Sequence, residues 1–549
     1  MKKILTLLAV AATAQLQAQV LYVNNSNGTH RPIDTKAVEQ ITFDEAQRVF
    51  SIAMNDGTEN RFSTEKADSI SPVAAGTELT YDSKKSVTFD AADATAYNEI
   101  IETIEKDELV DEYGDFVENY STTAFVTITF SEKGVTCEGV PSNVTYKVEN
   151  GTHIVINSTR TKVGYEVKGN CSNGSLKIYS TKKFQLMTSG LTLTNPTGPA
   201  INIQSGKTVY FTLGAGTVNT LCDGETYAAP TVGSDGSEED QKGTLFSEGQ
   251  LIFNGRGTLN VTSKGGHAIC SDDYIRVRSG NINILSAAKD GFHTNDLFRV
   301  GRTATATPVI TINAGSDGID CGKGSVIIEA GKFDITSDGE AFNVSNEDAP
   351  AEAHFTISGG FIKALTTGEK AAVVKTGGNF TQNGGIIQGE VKGGGSKIVN
   401  CDGDITFNAG KLTGVAHGSL SSDTTTAGGF KSEGNLTIKG GIIAIDCKGS
   451  GSKGFNCNGT LTINGGEVTL LAEAPDFVAD EYDRKTRTIT TVGCNINGGT
   501  VYAKSYDYAI NATATNFADG IINAVSSNAT AIGGSITQKG GWLLLQNAQ

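Results

Sequence analysis

Three Asp-Gly steps stand out as places where this chain could do chemistry: Lys289-Asp290-Gly291-Phe292, Ser316-Asp317-Gly318-Ile319-Asp320 and Ser337-Asp338-Gly339-Glu340-Ala341-Phe342. Each follows a β-rich stretch and precedes an apolar residue, which predicts one shared register on three successive coils. Asp-Gly alone is ordinary turn chemistry. Carboxylates stacked at ~4.8 Å, however, repel by about 1 kcal/mol per pair in water, and more where solvent is excluded. A Ca²⁺ ion, which takes six to eight oxygen ligands, would reverse that cost. The metal ligands expected are therefore Asp290, Asp317 and Asp338, with Asp296 and Asp320 on the following turns and Asn295 or Glu340 completing the shell. The same coils carry Lys289, His293, Arg299 and Lys323. If calcium neutralised a uronic-acid carboxylate, a base among Lys289, Arg299 and Lys323 would have the C5 proton to abstract.

The elements that must position these residues are written in a repeated phrase. Ile357-Ser358-Gly359-Gly360-Phe361-Ile362, Leu436-Thr437-Ile438-Lys439-Gly440-Gly441-Ile442-Ile443 and Leu461-Thr462-Ile463-Asn464-Gly465-Gly466-Glu467-Val468 each read as strand, Gly-Gly turn, strand. One such unit cannot bury its own apolar face, so units must stack into a solenoid. The expectation is an all-β chain, a right-handed parallel β-helix with a small N-terminal β module. From 123 to 549 there is room for roughly fifteen coils of ~27 residues. Insertions at Asp223–Lys242, Gly301–Pro308 and Ala472–Thr490 fall at turns. Near the last of these, Tyr482, Tyr502, Tyr506 and Tyr508 are the candidate aromatic platform for sugar rings.

Ahead of the coils, residues 19–75 hold an internal duplication. Tyr22 through Phe43 aligns without a gap to Ser51 through Pro72, each half reading strand, Asn/Asp-Gly turn, strand. Residues 76–122 break the pattern, with possible helical turns at Tyr97–Lys106, and are placed to form part of an end cap. Trp542 and the leucines after it are placed to lid the last coil.

Lys2-Lys3, an apolar run from Ile4 to Ala14 and the small residues ending at Ala18 predict a cleaved secretory signal over 1–18. The expected location is therefore periplasm, cell surface or medium, with no membrane span. Loss of Lys2 and Lys3 moves the formal charge from -16 to -18. That balance excludes nucleic acid as a partner and requires cations between the protein and any anionic polysaccharide. Nine cysteines fit buried thiols better than disulfides. Cys270, Cys321, Cys401 and Cys457 each stand before a polar turn, with Thr294, Ser345, Thr376 and Ser432 in the same place on other coils.

Leu191-Thr192-Leu193-Thr194-Asn195, Leu213-Gly214-Ala215-Gly216-Thr217 and the Asp290, Asp317 and Asp338 steps give Thr123–Ser345 a resemblance to secreted calcium-binding parallel β-helix proteins known as carbohydrate-binding domain-containing proteins. Their architecture is similar to that of pectate lyases. The resemblance implies calcium-stabilised, non-catalytic binding of plant-wall polysaccharide, cellulose-like or polygalacturonic. Glu340, standing where the family pattern has an apolar residue, departs from it. Two other readings stay open: a calcium-dependent lyase on uronic-acid polymers, and an adhesin or structural rod.

Overall fold

The computed structural model describes residues 20–25, 30–44, 48–64, 67–72, 85–96, 113–233, 236–301, 307–479 and 482–548. The leader over 1–18, the segment Tyr97–Lys106 and most of Gly301–Pro308 lie outside them. Strand makes up 57% of the chain, wound as a β-solenoid of about 15 turns with a small N-terminal β module. Contacts divide the chain into two units, one of residues 90–392 and 399–403, the other of 1–89, 393–398 and 404–549.

In the unit built on 90–392, parallel strands repeat in register because β-branched and aromatic residues alternate with polar ones. One inward ladder runs Phe211, Phe253, Val277, Val300, Ile328 and Ile357, and none of its members is exposed. Each such side chain contributes about 1.5–3 kcal/mol of burial. The small-residue ladder is present but differs in two places from the sequence expectation. It runs Ser271, Thr294, Cys321, Val344, Thr376, so Cys270 and Ser345 are each one residue out of it. A slip of one moves a side chain to the opposite face. All nine cysteines are free thiols, and burial pushes the Cys321 thiol up to about 12.

The first coil is closed by antiparallel pairs: Ala124–Ser131 with Gly134–Glu138, and Val144–Glu149 with His153–Ser158. The described residues 90–96 and 113–122, from the segment expected to supply part of an end cap, contact the side of the coils. Gln388 Nε2 donates to Asp93 at 2.9 Å, Arg276 meets Asp115 at 2.8 Å and Arg278 meets Glu118 at 2.7 Å. The Tyr120 hydroxyl donates to the Lys183 carbonyl at 2.9 Å.

In the other unit the Gly-Gly phrase acquires its reason. The second glycine takes a left-handed φ, 78° at Gly441 and 86° at Gly466. A Cβ on Gly441 would sit 2.6 Å from the Gly410 carbonyl oxygen of the preceding coil. Only glycine meets both demands.

The N-terminal module contains the two aligned halves as three strands each: β1 (Val20–Asn25), β2 (His30–Asp34) and β3 (Val38–Asp44), then β4 (Val49–Met54), β5 (Thr58–Ser63) and β6 (Ala67–Pro72). The halves exchange their third strands. β6 pairs with β1, and β3 pairs with β4. The free edge of β5 then pairs antiparallel with the final strand, Trp542–Gln546. Trp542 packs on the module's core of Phe50, Ile52 and Phe62, so the module itself covers the edge of the last rung, a surface that would otherwise template aggregation.

Candidate functional site

The Asp-Gly steps owe their positions to the apolar residues after them. Phe292, Ile319 and Phe342 stack in register, and that inward column fixes what lies two residues earlier. Asp290 and Asp317 therefore fall on adjacent rungs, with Gly291 N–H donating to the Asp317 carbonyl at 2.9 Å. Over Asp317 stands Glu340, because Gly318 N–H donates to the Glu340 carbonyl at 2.8 Å. The third Asp-Gly step carries two extra residues before its apolar anchor, which places Asp338 outside the column. Asp338 is exposed and accepts a 2.8 Å bond from Thr367. Counting back from the apolar residue, rather than matching the dipeptide, moves Glu340 from a residue completing the shell into the column itself.

Asp317 is buried, its Oδ1 accepting from Glu340 N–H at 2.8 Å and its Oδ2 from Asn343 Nδ2 at 3.1 Å. Gly339 makes that seat possible, since a Cβ there would lie 2.2 Å from Asp317 Oδ1. Burial, then the neighbouring Glu340 and Asp290 carboxylates, push Asp317 up to about 8. Alongside, His293, Asp320 and Asn343 form a second outward column. His293 Nδ1 lies 2.9 Å from Asp320 Oδ2 and 3.3 Å from Asp290 Oδ2, while His267 Nδ1 lies 3.0 Å from Asp290 Oδ2. The two imidazoles stack with centroids 4.4 Å apart. Burial alone would lower His293, but Asp290 and Asp320 outweigh it and carry the group up to about 9. Burial would likewise raise Asp290, yet the two histidines hold it well below the usual carboxylate range.

The side chains that converge most tightly are therefore not the three aspartates of the Asp-Gly steps. Among the described residues two trios bring their ligand atoms within 4.8 Å of one another: His267, Asp290 and His293, and Asp240, Glu248 and Asp272. The first offers imidazole nitrogen, which calcium does not favour. The second offers only oxygen, but the Lys242 ammonium lies 2.7 Å from Asp272 and 2.9 Å from Asp240. The sequence reading passed over His267 and the Asp240–Asp272 trio because each is assembled from different coils. Asp317, Asp320 and Glu340 carry oxygens of the kind calcium takes, with Asn343 Nδ2 donating to Asp317 and Asp320 at 3.1 Å each and the exposed Lys375 ammonium 3.3 Å from Glu340. Asp296 is exposed on its turn.

Of the three candidate bases, Arg299 is buried and held by Glu329 through two contacts of 2.9 and 3.1 Å. Lys323 is exposed. Lys289, also exposed, edges a depression of about 390 Å³ that it shares with His267, Lys242 and, from the Asp223–Lys242 insertion, Tyr227. Tyr227 is pinned by a 2.5 Å bond to Asp223, so the insertion forms a fixed rim beside the histidine–carboxylate columns.

The tyrosines do not gather into one open platform. Tyr502 is buried, and the Arg487 guanidinium covers Tyr508 at 5.3 Å from the ring centroid. Tyr506 is half-buried. Tyr482 lies on a short strand, Tyr482–Arg484, paired with Phe477–Ala479.

A solenoid with a charged outer face and a rimmed depression is a surface-binding architecture. The family model for carbohydrate-binding domain-containing proteins matches residues 150–476, and the chain belongs to that family. The match runs well past Ser345, where the recognisable motifs end, so the later coils belong to the family unit too. No curated protein matches the chain. Among solved structures, the polysaccharide lyase-like protein from C. thermocellum, in a gadolinium derivative, is similar at 21% identity and a TM-score of 0.37, over 51% of this chain and 95% of that one.

Proposed function

We propose that the protein is an exported, non-catalytic polysaccharide-binding solenoid, and that it holds a uronic-acid-bearing chain, of the polygalacturonic type, against its histidine–carboxylate columns with calcium between them. Membership of the carbohydrate-binding family is the observation that carries the ligand class. The finer reading is supported by Asp317, whose charge is suppressed by burial beside Glu340 and Asp290. A divalent cation at Asp317, Asp320 and Glu340 would offset the same crowding and present positive charge to a sugar carboxylate. Asp290, engaged by two histidines, anchors the site from the neighbouring rung. Lys289, exposed at the depression, would add positive charge for the polymer in a chain of net charge -16. The secretory leader read in the sequence of residues 1–18 supports binding outside the cytoplasm.

Affinity electrophoresis through gels containing polygalacturonate tests the proposal. Retardation is expected with Ca²⁺, reduced at least fivefold by EDTA or by Asp317→Asn, with no rise in absorbance from unsaturated products. Retardation indifferent to EDTA would remove calcium from the account, and none on any polysaccharide gel would remove the binding. Turnover lost in Lys289→Ala would make the protein a lyase instead.

A further inference from the structure

The strands that seal the solenoid's last coil also build a cavity of about 870 Å³ that neither the Asp-Gly columns nor the depression at Lys289 uses. It lies on the outer face of strands Thr500–Ser505, Ile521–Ser526 and Trp542–Gln546, which continue through β5 into the N-terminal module. Register sets its floor: Tyr502, Asn523, Leu544 and Asn60 lie in one row, and Thr500, Ile521, Trp542 and Phe62 in the next. Arg31 on β2 walls one side and is oriented by a 3.1 Å bond from its Nε to Asn60 Oδ1.

We propose that this cavity is a second carbohydrate site, taking one or two neutral sugar residues. Its volume lies within the ~300–1,000 Å³ of small-ligand pockets. Trp542 supplies a flat apolar and hydrogen-bonding surface of the kind sugar rings use, with Tyr502 buried in the floor. Two polar atoms on the floor, Asn523 Oδ1 and Trp542 Nε1, have no hydrogen-bond partner. One is an acceptor and the other a donor, and hydroxyl groups both donate and accept. Charge on the walls balances: Lys85 meets Glu467 at 3.0 Å and Lys504 meets Glu473 at 2.5 Å, while the lining arginines, Arg31 and Arg61, are matched in number by Asp34 and Asp56. A neutral ligand therefore fits better than an acidic one, in contrast to the calcium-dependent surface. The proposal shares only the ligand class with that reading.

Trp542 is the chain's single tryptophan, so its emission reports on this cavity and is silent on the Asp317 columns. Titrating the full chain with cellobiose should shift that emission saturably, unchanged by EDTA and by Asp317→Asn. Asn523→Ala should weaken the apparent affinity at least tenfold, with unchanged polygalacturonate retention as the check on folding. Digalacturonate should bind at least fivefold more weakly than cellobiose. An emission that no neutral disaccharide moves, or that Asn523→Ala leaves equally responsive, would overturn the site. Equal or tighter binding of digalacturonate would overturn its neutral class. Loss of polygalacturonate retention with the cellobiose response intact would separate failure of the first site from failure of this one.

Discussion

At Asp290 and Asp317 the solenoid's outer face packs ionisable groups against one another, and their charges are settled by neighbours one rung away. Beneath Trp542 the outer face is floored by aromatic and amide side chains, and its lysines are neutralised by glutamates. The first surface arises from residues a rung apart, roughly 23 to 27 positions in sequence. The second needs β5 and the last strand, whose paired residues Asn60 and Leu544 come from opposite ends of the chain. Repetition makes a charged surface at little topological cost, whereas a sheltered pocket requires a foreign wall.

The comparison breaks most forcefully at that wall. Phe62 is buried and stacks on Phe50 with ring centroids 4.9 Å apart, so Phe62→Ala should destabilise the module by about 3–5 kcal/mol. Trp542 emission should then shift to the red in a chemical-denaturation series while calcium-dependent polysaccharide retention persists. Loss of both together would mean the two surfaces are not independent.

Glu329→Ala comes next. It removes the carboxylate that holds the buried Arg299 guanidinium and should cost about 3 kcal/mol, read as a lowered Tm. Were Arg299 a catalytic base, Glu329→Ala would change turnover without that loss of stability.

The pH response is smaller and confined to the charged surface. His293 is raised from 6.5 to about 9, so its contribution is full below pH ~6.5 and is lost as pH climbs through 9. Asp317, raised from 3.8 to about 8, also loses stability with rising pH, between those two values. Asp290 runs the other way, contributing above the ordinary carboxylate range and losing its contribution as pH falls. In EDTA the Tm should fall from pH 6 to pH 9, and His293→Gln should flatten the part above pH 7. A flat profile in the parent protein would remove the proposed charge on His293.

Smallest of all, Asp338→Ala should change stability by less than about 1 kcal/mol and leave calcium-dependent retention unaltered, because that carboxylate is exposed and outside the column. A loss of calcium dependence there would restore the plain Asp-Gly column.

Periodicity made the solenoid legible. Gly440-Gly441 and Gly465-Gly466 could be read as turns because a left-handed φ and close coil packing both demand glycine. The module's duplication was equally readable, but its exchange of β3 and β6 was not, since pairing between aligned halves leaves no local trace. Asp290 and Asp317 could be read as neighbours from their shared Asp-Gly-apolar spacing. Glu340 could be read only as completing the shell because the dipeptide match at Asp338 competed with the inward register of Phe342, and burial of the apolar column wins that contest. Tyr502 reads as an exposed aromatic from sequence context, yet its row on the sheet lies under the module.

By itself, then, the sequence determined the all-β repeat, the stacking of Asp290 on Asp317 and the kind of surface such stacking makes, because these follow from spacing along one strand direction. Tertiary structure alone decided that His267 and His293 flank Asp290, that Arg299 is spent on Glu329, and that residues 20–72 return to wall a cavity at Trp542. Those are meetings between distant segments, fixed by packing and edge pairing that no local pattern encodes.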